Sequence, residues 1–159
     1  MKKCQKRKRN EKRKNKNISK TLKIFAANAA GISCKLKSFE NILLKIKPQI
    51  WMLEETKLKP NGRIKCEALN DFQVFYLNRQ KSQGGGLALG VHREIESTLI
   101  RDGDDETEVL SVQTLMADIP VRIIVAYGPQ ENASSEKKMK FWSFIENEIK
   151  IDEIKDHSK

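Results

Sequence analysis

The sequence predicts an α/β fold, and three observations carry that expectation. Residues 22–28 form a short apolar run, residues 33–47 repeat apolar side chains at spacings of three and four, and residues 50–53 form a second apolar run just after Pro48. Strand, helix and strand within residues 22–55 make a unit of βαβ size. Its right-handed crossover sets the two strands parallel, so the ends of both strands face the same way.

Each element has its own justification. The first strand ends at Asn28, with Gly31 shortly after it. In the helix, Leu36, Phe39, Leu43 and Ile46 share a face, Ser33 is a plausible N-cap, and Lys45 and Lys47 suit the negative end of the dipole before Pro48 stops it. Ile50-Trp51-Met52-Leu53 reads as a strand buried on both faces, and it runs straight into Glu54 and Glu55. Side chains alternate along a strand, so these two carboxylates point to opposite faces. Residues 72–77 and 87–91 are further strands, joined through a segment ending in Gly84-Gly85-Gly86. Those glycines lack the spacing of a phosphate loop and read as a turn that needs positive φ. Residues 102–106 form an acidic turn, and 109–119 and 121–127 read as two strands connected around Pro120. Ser134 or Ser135 caps a last helix with Met139, Trp142, Ile145 and Ile149 as its apolar stripe. The sequence divides into an arm at 1–20, a domain at 21–152 and a frayed tail at 153–159.

Charge separates the arm from the rest. The chain has a formal net charge of +10, and residues 1–20 hold eleven Lys or Arg against the single acid Glu11. The remaining residues balance twenty basic against twenty acidic side chains. With so little apolar surface to bury, the arm is expected to be disordered. Lys6, Arg7, Lys8 and Arg9 fit a nuclear localisation signal or a nucleic-acid contact, and a solubilising tail is the plainer reading. The basic N-terminus has no apolar stretch behind it, which argues against a secretory signal. Cys4, Cys34 and Cys66 fit neither a disulfide framework nor a zinc site. The expected location is nuclear or cytoplasmic.

The chemistry gathers at strand ends. Asn28 and Glu55 offer two oxygen donors of the kind Mg²⁺ accepts, with water and phosphate completing the shell. Tyr127 precedes Gly128-Pro129 at a strand end, where its hydroxyl reaches a phosphate oxygen or is buried for its own sake. Arg79 and Lys81 are candidate contacts to a nucleic-acid backbone. His92 has no partner in sequence and reads as structural.

Four motifs together resemble the endonuclease/exonuclease/phosphatase family. Asn28-x-x-Gly31, Leu53-Glu54-Glu55-Thr56-Lys57 (similar to the family's LQETK), Gly84-Gly85-Gly86-Leu87-Ala88 (similar to GGGVA) and Ala126-Tyr127-Gly128-Pro129 (similar to VYxP) occur in the family's order. The triple glycine and Tyr-Gly-Pro look most like the apurinic-type endonuclease domain of non-LTR retrotransposons. The resemblance implies the N-terminal half of a four-layer α/β sandwich that cleaves phosphodiesters, acting on DNA with Mg²⁺, or with Mn²⁺ in its place. It implies that Glu55 is the principal metal ligand, Asn28 its neighbour and Tyr127 a phosphate contact. Gln is usual where Glu54 stands, and an aromatic is common where Ala27 stands. The family's later GDFN and SDH motifs, with the general-base His, have no counterpart in residues 21–151, so activity of this chain alone is not expected. The expected source is a truncated mobile-element (LINE-type) endonuclease, with a C-terminal half or polymerase domain in a longer product. Two alternatives stand beside it: a non-catalytic nucleic-acid-binding protein using the basic arm, and a lipid or nucleotide phosphodiesterase of the same superfamily.

Overall fold

The computed structural model describes residues 21–81 and 84–156, with side chains through residue 150. The basic arm, with Lys6, Arg7, Lys8 and Arg9, lies outside the described residues. Among the described residues, seven strands and two α-helices form four layers, α1, a first sheet, a second sheet and α2.

The first sheet is built on the βαβ unit. Strand β1 (Ile24–Asn28) pairs parallel with β2 (Ile50–Glu54), and α1 (Leu36–Ile46) connects them. Strands β3 (Phe72–Leu77) and β4 (Leu87–His92) complete the order β1-β2-β4-β3, with β4 antiparallel to both neighbours. Trp51 and Leu53 face α1 and pack in one core with Phe39, Leu43 and Phe72. Phe39 meets Trp51 edge-on, with ring centroids 5.1 Å apart. Gly90 lies opposite Trp51 in register, and a Cβ there would come within 2.1 Å of the indole, so only glycine leaves room for that ring. His92 stacks edge-on against Phe72 at 5.6 Å, a packing role.

The second core lies between the sheets. Ile50, Leu87, Leu89 and Val91 from the first sheet meet Leu110, Val112 and Val125 from the second. The second sheet has the order β5-β6-β7, formed by β5 (Glu96–Asp102), β6 (Glu108–Met116) and β7 (Ile119–Tyr127). Helix α2 (Ser135–Asp156) covers its far face through Phe141, which is buried, and through Glu148. The Glu148 carboxylate is fully buried and lies 3.0 Å from Arg101 of β5 and 3.7 Å from Arg122 of β7.

Several expectations are corrected. Ser33 does not cap α1: it opens a short 3₁₀ turn (Ser33–Lys35), and Lys35 precedes the α-helix with no side-chain cap. Strand β5 was not expected, because its apolar residues Leu99 and Ile100 are exposed and a bulge breaks its register. Pairing with β6 holds it, and pairing leaves no period-2 mark in the sequence. The β6–β7 turn falls at Ala117-Asp118, both at positive φ (50° and 66°), the requirement of a two-residue type I′ hairpin. Pro120 lies inside β7, which is an edge strand and tolerates a residue with no N–H. At the other end, the α2 backbone runs to Asp156, with no Gly or Pro interrupting it, and the last three residues of the expected tail lie outside the described residues. Ser134 does cap α2, accepting from the Lys137 N–H at 3.3 Å. Met139, Trp142 and Ile149 of the expected stripe stay exposed, and Trp142, Ile145 and Ile149 line an open groove beside Ile124 and Ala126 of β7.

Candidate metal and phosphate site

The parallel register of β1 and β2 brings Asn28 beside Glu54 at one end of the first sheet. Beyond that end the chain stays tightly tied. The N–H groups of Ala29 and Gly31 donate to the carbonyls of Glu54 and Glu55, both at 2.8 Å. From the other side, the N–H groups of Thr56 and Lys57 donate to the carbonyls of Gly86 at 3.0 Å and Gly85 at 2.8 Å. Glu55 hangs between these two loops at φ 49°, a left-handed conformation that costs a non-glycine residue about 1 kcal/mol or more. Strand β2 ends at Glu54, so the direction of Glu55 is set by this backbone turn and not by the strand alternation expected from the sequence.

The three residues singled out in the sequence converge here. Asn28 Nδ2 donates to Glu55 Oε1 at 2.9 Å, and the Tyr127 hydroxyl donates to the same oxygen at 2.8 Å. Tyr127 arrives from the second sheet, so the contact joins the two sheets at the site. Lys57 Nζ lies 3.7 Å from Oε2. The bonds from Asn28 and then Tyr127 hold the Glu55 carboxyl below the usual carboxylate range, against a small opposing effect of burial. Glu54 shifts the other way, raised by burial and then by the charge of Glu55. Its bond to Glu55, chiefly, raises the Tyr127 phenol, which therefore stays a donor at neutral pH. Adjacent carboxylates have been pushed apart, one toward the ionised form and one toward the neutral form.

The donor set fits a hard cation. Glu55 Oε2 keeps lone pairs for an ion, and Asn28 Oδ1 spends one of its two on the Ala30 N–H at 2.9 Å. Among the described residues no group of three or more His, Cys, Asp or Glu lies together. One carboxylate and one amide oxygen are the sparse protein contribution that Mg²⁺ accepts.

Arg79 and Lys81 do not join Glu55. Arg79 Nη2 donates to the buried Glu108 carboxylate at 2.5 Å, and this bond raises the guanidinium pKa. The backbone N–H groups of Gln80 and Lys81 donate to the Asp105 carboxylate at 2.8 and 2.7 Å. The resulting loop walls a cavity of about 400 Å³ next to Tyr127, lined also by Glu106, Asn132 and Lys137. Glu108 was not singled out in the sequence. Its one sign there is a carboxylate at the head of an apolar strand.

No protein-family model matches the chain, and no curated protein sequence does. Solved structures match it well. An AP endonuclease from Archaeoglobus fulgidus aligns at TM-score 0.57 with 23% identity, over 79% of this chain and 49% of that one. A 3′ phosphatase, NExo, from Neisseria, bound to a product DNA hairpin, aligns at 0.56 with 18% identity, over 82% and 53%. The endonuclease domain of TRAS1, a telomere-specific non-LTR retrotransposon, aligns at 0.58 with 12% identity, over 80% and 54%. All are of the endonuclease/exonuclease/phosphatase superfamily, and this chain has that superfamily's fold. It spans about half the length of the structures it matches.

Proposed function

We propose that this chain carries the metal-holding half of a Mg²⁺-dependent phosphodiesterase domain that acts on DNA, of mobile-element type. One observation carries the reading: a carboxylate at a strand end, bonded at Oε1 by Asn28 and Tyr127, with its other oxygen facing the half-exposed Lys57 ammonium at 3.7 Å, which an arriving cation would displace. Glu55 would hold the ion, with Asn28 orienting the carboxylate and lending its oxygen. A bound Mg²⁺ supplies Lewis acidity toward a phosphodiester oxygen. Tyr127 keeps its proton and can turn its hydroxyl from Glu55 to a phosphate oxygen. The basic arm favours nucleic acid over a lipid substrate, because it bears the whole net charge.

A general base that orients the attacking water is expected from residues outside this half, and metal alone does not position a nucleophile. The test is nicking of supercoiled plasmid in Mg²⁺. The expected result is little nicking by the 159-residue chain, and nicking that depends on Glu55 once a superfamily C-terminal half is supplied. Activity unaffected by Glu55→Gln would overturn the assignment. Retained DNA binding with no nicking in any combination would favour the non-catalytic binding protein.

A further inference from the structure

We propose that Glu108 is a positioning residue for the site, acting through the glycine loop on the backbone that holds Glu55. The inference rests on the metal-site reading for its consequence and on contacts alone for its geometry. Glu108 is 3% exposed and opens β6, directly opposite Tyr127 in the β6–β7 register. One of its oxygens accepts from the Gly86 N–H at 2.5 Å, and the other accepts from Arg79 Nη2 at 2.5 Å. Gly85 and Gly86 in turn present the carbonyls that bind the N–H groups of Lys57 and Thr56. A continuous chain of bonds therefore runs from Glu108 through Gly86 and Gly85 to the two residues after Glu55. Asp105 ties the start of the same β3–β4 connection through the Gln80 and Lys81 N–H groups, and Glu108 ties its glycine end.

The loop cannot hold itself. Gly84, Gly85 and Gly86 all sit at positive φ (91°, 56° and 85°), where glycine is permissive but loses the most entropy on ordering. Glu108 offsets that loss with two charge-assisted bonds, which are about twice as strong as neutral ones. The fit around it is tight. A Cβ on Gly85 would lie 2.2 Å from Arg79 Nε and 2.5 Å from Glu108 Oε1, and one on Gly86 would lie 2.8 Å from the Thr56 hydroxyl. The glycines are thus required by the Arg79–Glu108 pair and by the Thr56 segment, with no phosphate needed to explain them. Arg79, neutralised by Glu108, serves this clamp, and a free phosphate-binding role for it is not part of the proposal.

The experiment compares wild type with Glu108→Gln and Gly85→Ala in the full chain. Glu108→Gln is isosteric and keeps an acceptor for Gly86 while turning an amide toward Arg79. Gly85→Ala attacks the same clamp from the loop. The first readout is amide hydrogen exchange, which needs no metal. Both variants are expected to lose protection at Thr56, Lys57 and Gly86 by about tenfold or more, with Leu110 and Val112 in β6 unchanged. A general loss across β6, or unchanged exchange at Thr56 and Lys57, would overturn the proposal by showing that Glu108 merely stabilises its own sheet. The second readout is Mn²⁺ affinity, where a fall of about tenfold is expected, typical of losing a group that orients a ligand. Absence of Mn²⁺ binding in the wild type would overturn the metal reading, and the exchange result would still decide the clamp.

Discussion

Replacing Tyr127 with Phe removes one oxygen and leaves the ring. The lost bond is the 2.8 Å donation to Glu55 Oε1, which after the Asn28 bond, and ahead of Lys57, holds that carboxyl below the usual range. Hydrogen bonds to charged groups contribute about 1.5–3 kcal/mol when well shielded, and this one is partly exposed, so a loss of about 1 kcal/mol is expected at pH 7. The direction with pH follows from the sign of the shift. Glu55 is depressed in the folded state, so its contribution is complete above the unfolded carboxylate value and is lost as pH falls through its folded value. Wild type and Tyr127→Phe should therefore differ most at neutral pH and converge in acid. Urea unfolding at pH 7 and at successively lower pH measures the difference, and the Glu55 carboxyl ¹³C shift reports whether its titration moves up in the variant. An equal difference at every pH would refute the reasoning, because it would assign Tyr127 to packing.

Two further outcomes follow from other parts of the molecule. Gly90→Ala should destabilise by about 1–3 kcal/mol in denaturant unfolding, because the added methyl enters the Trp51 ring; a neutral result would mean that the indole has another rotamer available. Deleting residues 1–20 should abolish most duplex-DNA binding at moderate salt and flatten its salt dependence, since those residues bear the net charge; unchanged affinity in a mobility-shift assay would place the DNA surface on the folded body.

The parts of the fold legible in the sequence are those with a burial period. The β1–α1–β2 unit and its parallel sense could be read because Trp51 and Leu53 face one core and Ile50 another, giving a run apolar at every position. From that reading the meeting of Asn28 and Glu55 followed. The contact between Tyr127 and Glu55 could not be placed from spacing, because it crosses between sheets. Glu108 was hidden for a related reason. A turn centred on Pro120 would set Tyr127 opposite Gln113, and only the turn at Ala117-Asp118 sets it opposite Glu108. One misplaced turn therefore concealed both the hairpin register and the clamp it builds. Strand β5 was illegible because its exposed Leu99 and Ile100 carry no face to read.

The central claim is that Glu55, and not its neighbour, is the metal-holding carboxylate. Calorimetric titration with Mg²⁺, repeated with Mn²⁺, tests it on wild type, Glu55→Gln and Glu54→Gln. The two glutamates differ by one position in sequence and in the direction of their pKa shifts. Binding should be weak in the wild type, lost in Glu55→Gln and retained in Glu54→Gln; loss in Glu54→Gln with retention in Glu55→Gln would contradict the account.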